Sequence, residues 1–308
     1  MSINVLFSAR PALWPVYEPL LTKGLSGMDV IIATDLPPEQ VDYVVYAPNG
    51  GLQDFTPYTR LKAVLSLWAG VEKIAGNETL TVPLARMVDH GLTQGMTEWV
   101  VGHVLRYHLG MDRHITVQDG IWAPDPPPLA SQRTVCVLGL GALGQAAAGA
   151  LSNLGFNVIG WSRTAKTIPG IRSLHGPDGL RRALTQADIV VLLLPDTPAT
   201  ENTLNAETLG LLPKGARIIN PGRGALVDDD ALLHALDTGQ IAHATLDVFR
   251  TEPLPPQHPY WAHPNVTVTP HIASETRPET AAQVICDNIR RNEAGEPLLH
   301  LVDRDLGY

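Results

Sequence analysis

Three segments of the sequence carry a cation, a carboxylate and an imidazole, each at the end of an apolar run. Ile218-Ile219-Asn220-Pro221-Gly222-Arg223-Gly224 sets an arginine between glycines. Leu246-Asp247-Val248-Phe249-Arg250-Thr251-Glu252-Pro253 sets Asp247 inside the run and Glu252 just beyond it. Val268-Thr269-Pro270-His271-Ile272 ends a run on a histidine. Singly, each has an ordinary explanation: a surface arginine, a solvated glutamate, a core histidine. Together they suit the reduction of a 2-keto acid by hydride. Arginine would hold the substrate carboxylate and polarise the keto oxygen, setting positive charge where negative charge develops. Histidine would protonate that oxygen, since its pKa lies near working pH. A carboxylate bonded to the histidine would fix its tautomer and favour imidazolium.

Such chemistry needs a hydride donor, and residues 134–163 have the pattern of a dinucleotide site. Thr134–Leu138 is a short β-branched apolar run that reads as a buried parallel strand. It leads into Gly139-Leu140-Gly141-Ala142-Leu143-Gly144, a G-x-G-x-x-G turn, then a helix with Leu143, Ala147, Ala150, Leu151 and Leu154 on its apolar face. Gly155 stops that helix, and Phe156–Trp161 reads as the next strand. In this strand–turn–helix–strand setting, Gly139 allows the tight turn and Gly141 lets a pyrophosphate approach the backbone. Gly144 lets the helix pack closely on the sheet. The first N–H groups of the helix, those of Ala142 and Leu143 among them, would face the phosphates. An NAD site usually carries an acid about 20 residues further on, to bond the ribose hydroxyls. Here the stretch is Trp161-Ser162-Arg163-Thr164-Ala165-Lys166, without an acid. Ser162, Arg163, Thr164 and Lys166 suit a 2′-phosphate, which a guanidinium binds in two-pronged fashion. NADP(H) is therefore the expected cofactor, preferred over NAD(H).

The elements that must position these residues alternate along the chain. With 308 residues, two domains are the natural expectation. Ile3–Phe7, Val30–Ala33, Tyr43–Tyr46, Val64–Leu67 and Thr81–Leu84 read as strands of a small α/β sheet. Thr93 to about Gly110 reads as a longer helix with Met96, Val100, Val104 and Tyr107 on one face. Ala123-Pro124-Asp125-Pro126-Pro127-Pro128-Leu129 is a stiff, extended connection into the second domain. Beyond the glycine turn, Leu180–Gln186 reads as helix and Asp188–Leu194 as an apolar strand ending at Pro195. Ala216–Asn220 is a further strand, and Asp228 is placed to cap a helix from Asp229 to Thr238. His243–Phe249 and Val266–Thr269 read as strands, and Arg277 to about Arg291 as a final helix. The fold class is α/β: two Rossmann-like or flavodoxin-like domains with doubly wound parallel sheets.

Composition narrows the partners. A net charge of −9 speaks against nucleic acid and anionic membranes, leaving room for a local basic pocket. Hydrophobic residues make up 44% and charged residues 17%, as in a soluble globular protein. Cys136 and Cys286 share no metal-ligand spacing and imply no disulfide framework, so a cytoplasmic location is expected. The start, MSINVLFSAR, is a strand pattern and not a leader. His103, His108 and His114 lie five and six apart, which does not stack ligands on one helical face, and no metal site is expected. Two further strand-end loops, Tyr46-Ala47-Pro48-Asn49-Gly50-Gly51 and Trp68-Ala69-Gly70-Val71-Glu72, are candidate ligand sites.

Six of these segments combine into one pattern: LWAGVE, WSRT, LLPDTPAT, INPGRGALVDDDAL, LDVFRTEPLP and TPHIASETRP, together with LGLGALG. The chain resembles, over its full length, the D-isomer-specific 2-hydroxyacid dehydrogenase family, and within it the glyoxylate/hydroxypyruvate reductase A group. The resemblance implies that Arg223 binds substrate, that His271 is the acid/base and that Glu252 is its partner. It places Asp247 near the nicotinamide amide and Pro195 among the cofactor-binding residues. It places Ala69 and Gly70 at the substrate carboxylate, with Tyr46 and Arg277 also in the substrate pocket. It implies a substrate domain built from residues 1–95 and 276–308, a cofactor domain of residues 96–275, a cleft that closes on substrate, and a homodimer. The implied reactions are glyoxylate to glycolate and hydroxypyruvate to D-glycerate. Trp68 stands where the group usually has small residues, so a bulkier acid such as phenylpyruvate is the neighbouring alternative. Pro221 and Gly222 likewise depart from the small or hydroxyl residues often found before the arginine. A reading from a different class, a dinucleotide-sensing corepressor-like interaction protein, is opposed by the intact Arg–Glu–His set.

Overall fold

The computed structural model describes residues 2–116, 119–122 and 124–308. Ala123, first residue of the expected proline-rich connection, lies outside them, and residues 124–129 follow without regular secondary structure. The chain divides into two compact units, residues 1–92 with 276–308, and residues 93–275.

In the first unit, β1 (Ile3–Ser8), β2 (Val30–Ala33), β3 (Tyr43–Tyr46), β4 (Ala63–Ser66) and β5 (Leu84–Ala85) form a sheet in the order β2-β1-β3-β4-β5. All its pairings are parallel. This is the flavodoxin-like order, reached from short apolar runs because side chains alternate between two covered faces. Val5, Phe7, Tyr43, Val45 and Leu65 pack on one face against Ala281, Ala282, Ile285 and Ile289 of the helix Pro278–Glu293. Leu6, Val44, Tyr46 and Val64 fill the other face with Ile74 and Leu80. The fifth strand starts later than its apolar run suggests, at Leu84. Pro83 has no N–H to give the ladder and contributes only its carbonyl, which accepts from Val64 N at 3.0 Å.

In the second unit, β6 (Thr134–Leu138), β7 (Asn157–Ser162), β8 (Arg172–His175), β9 (Ile189–Leu192), β10 (Ala216–Asn220), β11 (Ile241–Leu246) and β12 (Val266–Val268) form a seven-stranded sheet. The order is β12-β11-β10-β9-β6-β7-β8, again with every pairing parallel. It is the Rossmann order extended by one strand. The central strands are apolar on both faces, as a doubly covered sheet requires. Cys136, Leu138, Val190, Leu192 and Ile218 face one core, and Val135, Val137, Ile189, Val191 and Ile219 face another. Ala147, Ala148 and Leu151 of the helix Ala142–Asn153 belong to the second core. Leu154, expected on that apolar face, lies past the helix end and is exposed.

Two local differences have physical causes. Strand β8, not foreseen from its polar composition, is an edge strand with little buried surface. The helix expected from Thr93 spans His90–His108, because the buried Asp89 carboxylate accepts Leu92 N–H at 3.0 Å and caps an earlier start.

Candidate active site in the second unit

A parallel sheet gathers all its strand-to-helix loops on one edge, and ligands bind there where the strand order reverses. In the seven-stranded sheet that point lies between β6 and β9. The loops leaving β6, β9, β10, β11 and β12 carry the glycine motif, Pro195, Arg223, Glu252 and His271 respectively. Parallel topology therefore brings these candidates to a common edge.

The loop after β6 has the form of a phosphate cradle. Gly139 takes φ +106°, open to glycine at no steric cost. A Cβ on Gly144 would overlap the Gly139 carbonyl, so helix and turn touch at the closest spacing two backbones allow. Gly141 caps the helix and faces open space, where a Cβ would meet nothing within 4 Å. The helix Ala142–Asn153 makes its first intrahelical bond through Gln145 N, to Gly141 O at 2.9 Å. The earlier N–H groups, with the positive end of the helix dipole, suit an anion. Leu140 O accepts from Gln145 Nε2 at 2.9 Å and from Lys166 Nζ at 2.6 Å, so Lys166 reaches back to the glycine turn. The buried Ser162 donates to Thr164 O at 2.8 Å and shapes the turn that presents the exposed Arg163. No acid lies in residues 161–167. A dinucleotide with an extra phosphate fits this set of donors and open backbone. In the next loop, Pro195 O accepts from Thr200 Oγ1 at 2.7 Å.

Two of the catalytic candidates form a bonded pair. His271 Nδ1 donates to Glu252 Oε2 at 2.7 Å, and Phe249 N–H donates to Glu252 Oε1 at 2.9 Å. The bond to Glu252 raises the His271 pKa above its ordinary value, against the opposing effect of burial. Burial pushes the Glu252 carboxyl upward. The hydrogen bonds from His271 and Phe249 and the charges of His271 and Arg223 outweigh it, and the group stays below its usual value. With Nδ1 of this half-exposed histidine bonded to Glu252, Nε2 is the ring nitrogen able to exchange a proton. Arg223 donates from Nη1 to Gly222 O at 2.7 Å. Its loop is braced by Asn220, buried at the end of β10, which accepts from Gly222 N at 3.1 Å and donates to Arg223 O at 2.9 Å. Asn-Pro at a strand end is a turn signal from which this brace could have been read.

Asp247 serves this same loop system. Its side chain is fully buried. Oδ1 accepts from Thr269 Oγ1 at 2.6 Å and from Ile272 N at 2.9 Å, and Oδ2 accepts from Ala273 N at 2.8 Å. Its main-chain oxygen accepts His271 N–H at 2.8 Å. These bonds hold His271 at φ +54°, a left-handed conformation costly for a non-glycine residue.

The first unit carries the remaining candidates. Ala69 and Gly70 follow β4 in a bend fixed through Trp68. Its N–H donates to Ser66 Oγ at 3.0 Å, and its carbonyl accepts from Ser66 Oγ and Met87 N, both at 3.0 Å. Trp68 is 38% exposed. Arg277 caps the helix Pro278–Glu293, its carbonyl accepting Ala281 N at 2.9 Å. Tyr46, expected in the substrate pocket, is 4% exposed and packs on Phe55. Strand alternation turns its ring toward the core with Val44, and it also lines a cavity with Gln53, Glu72 and Asn77. Among the histidines of the long helix, His103 stacks on Trp99 and His108 meets Phe156 edge-on. Among the described residues, no group of His, Cys, Asp and Glu is arranged to hold a metal ion.

A dehydrogenase of 2-hydroxy acids is the class these loops define, and the comparisons agree. Residues 103–273 match the NAD binding domain of the D-isomer specific 2-hydroxyacid dehydrogenases. The chain belongs to that family. It is 44% identical over 257 residues to glyoxylate/hydroxypyruvate reductase A of Serratia proteamaculans, covering 81% of this chain and 82% of the relative. The crystal structure of a D-isomer specific 2-hydroxyacid dehydrogenase from Xanthobacter autotrophicus, in complex with NADPH and MES, superposes with TM-score 0.93. It is 42% identical, with both chains fully covered. An NADPH-dependent glyoxylate/hydroxypyruvate reductase from Sinorhizobium meliloti, in complex with NADP and sulfate, gives TM-score 0.86 at 35% identity, again over all of both chains.

Proposed function

We propose that the protein is an NADPH-preferring reductase of small 2-keto acids, acting on glyoxylate and hydroxypyruvate. The bonded His271–Glu252 pair, on the same sheet edge as the glycine cradle and Arg223, carries this reading. When bound, the nicotinamide supplies the hydride. Arg223 binds the substrate carboxylate and polarises the keto oxygen. His271 gives its Nε2 proton to that oxygen, and Glu252 holds the imidazolium in the charged form that makes donation possible. Ala69, Gly70 and Arg277 keep their assignment as substrate-binding residues, and Asp247 its assignment beside the nicotinamide amide.

The preference for NADPH rests on Ser162, Arg163, Thr164 and Lys166 and on the absence of an acid between residues 161 and 167. The named relatives crystallised with NADPH or NADP support it. A homodimer is proposed as well. Ile115, Ile121, Trp122 and Leu129 are each more than 70% exposed within a short stretch, and such a patch favours a second copy as cover. The two cysteines are buried and unpaired, in keeping with the cytoplasm as the proposed location. The test is NADPH oxidation with glyoxylate and hydroxypyruvate, against NADH and phenylpyruvate. Fast turnover dependent on NADPH and small keto acid supports the reading. Tight NADPH binding without turnover on any keto acid overturns it in favour of a sensor.

A further inference from the structure

Arg250 lies two residues before Glu252, and its role is not explained by the reaction. Its guanidinium reaches three loops of the same sheet edge. From its own loop after β11, Nη1 pairs with Glu201 at 3.2 Å and Nη2 bonds Asn202 Oδ1, both in the loop after β9. Nη2 also donates to Ala225 O at 3.2 Å and Val227 O at 2.9 Å, and Nε lies 3.9 Å from Asp229 Oδ2, all in the segment after β10. That segment is the turn immediately following Arg223.

The loops it joins are already in contact. Asn202 takes φ +50°, and its N–H donates to Ala225 O at 2.9 Å. Leu204 N donates to Leu226 O at 3.0 Å, and Asp228 N to Leu204 O at 2.9 Å. At Gly224 the backbone of the Arg223 loop abuts Phe249 and Arg250 so closely that a Cβ would overlap their main chain. Four hydrogen-bond acceptors and a further carboxylate at ion-pair distance on one planar cation make a cross-tie that a flexible ammonium cannot reproduce.

We infer that Arg250 is a positioning residue: it locks the loop that carries Arg223 to the loop that carries Glu252, and so fixes the substrate-binding cation relative to the His271–Glu252 pair. This inference rests on the catalytic reading above. A catalytic constellation loses rate steeply when its members shift by an ångström, so the cross-tie acts on the reaction without touching substrate.

The test measures Arg250→Met and Arg250→Lys beside Arg223→Gln, with keto-acid KM and kcat, NADPH affinity by fluorescence titration, and thermal unfolding. For Arg250→Met a loss of roughly tenfold or more in kcat/KM for the keto acid is expected, with NADPH affinity within about twofold of the parent. Arg250→Lys is expected to recover part of that loss. Parent-like kcat/KM in a folded Arg250→Met overturns the inference. So does a fall in NADPH affinity parallel to the fall in kcat/KM, which marks a general structural role. If Arg250→Met does not fold, Arg250→Lys decides: a selective keto-acid defect supports the cross-tie and parent-like values overturn it. A crippled Arg223→Gln with a parent-like Arg250→Met sinks this inference alone. An unaffected Arg223→Gln sinks the catalytic reading itself.

Discussion

The two sheets follow the same topological logic yet carry different loops on their carboxyl edges. In the seven-stranded sheet these loops hold Arg223, Glu252, His271 and Asp247: His271 is bonded to the Glu252 carboxylate and to the Asp247 main chain, and Arg223 to the Gly222 carbonyl beside it. In the five-stranded sheet the loop after β4 offers backbone amides beside one large ring, and its polar side chains serve the loop itself. Elsewhere in the first unit, the cation of Arg304 is spent on structure. Nε donates to Ala75 O at 2.8 Å and Nη2 to Asn77 O at 2.6 Å, and Nη1 bonds Leu80 O. Parallel topology supplies a binding edge, but only a set of mutually oriented charges makes that edge reactive.

Substitutions can break or sharpen this contrast. The largest effect is expected at His271. Asparagine tolerates the left-handed conformation, so His271→Asn removes the proton donor while keeping the turn. Turnover should fall by roughly 10² to 10⁴ with NADPH affinity retained. Near-parent turnover in a steady-state assay would remove His271 from the mechanism. Next comes Arg163→Ala, which should raise the NADPH Michaelis constant roughly 10- to 100-fold, the range for a charge-assisted hydrogen bond. NADH should be nearly unaffected, and equal changes for both cofactors would end the 2′-phosphate assignment.

Glu252→Gln tests the electrostatics. Glu252 raises the His271 pKa in the folded protein, and reduction requires the protonated ring, so activity is present below that pKa and lost as pH rises through it. Removing the carboxylate charge should move the alkaline limb of the kcat/KM profile for reduction to lower pH. An unmoved limb would show that Glu252 does not set the His271 charge. The smallest functional effect belongs to the first unit. Arg304→Ala should cost about 1–3 kcal/mol of stability through three carbonyls left without their donor. It should lower the melting temperature with kcat/KM intact at assay temperature; a specific loss of kcat/KM would erase the contrast between the two units.

Much of this arrangement was legible in residue order. The bounds of Tyr43–Tyr46, Thr134–Leu138 and Ala216–Asn220 are readable because each is a short, mostly apolar run that meets a proline or glycine within two residues. The glycine motif and the three catalytic loops followed from strand ends, which parallel topology must collect together. Three kinds of information were not local. An edge strand such as Arg172–His175 lacks the apolar signal because it buries little. How deeply the Tyr46 ring is buried depends on which face of the sheet it takes, and that needs the register. The hold of Asp247 on residues 269–273, and the reach of Arg250 to Asn202 and Val227, join residues more than twenty positions apart. No spacing rule anticipates such bonds.

The helix Pro278–Glu293 completes the core of the first unit, where Ile285 and Ile289 share a cluster with Tyr17 and Leu21. A ribosome delivers that helix after the whole of the seven-stranded unit. The residues of the seven-stranded unit emerge as one uninterrupted stretch and can condense while synthesis continues. The core of the first unit therefore closes only after the second unit has been made. Until that helix emerges, the face of the sheet with Val5, Phe7 and Val45 has only part of its cover, from the helix Trp14–Gly24, an interval in which a nascent chain has most need of a chaperone.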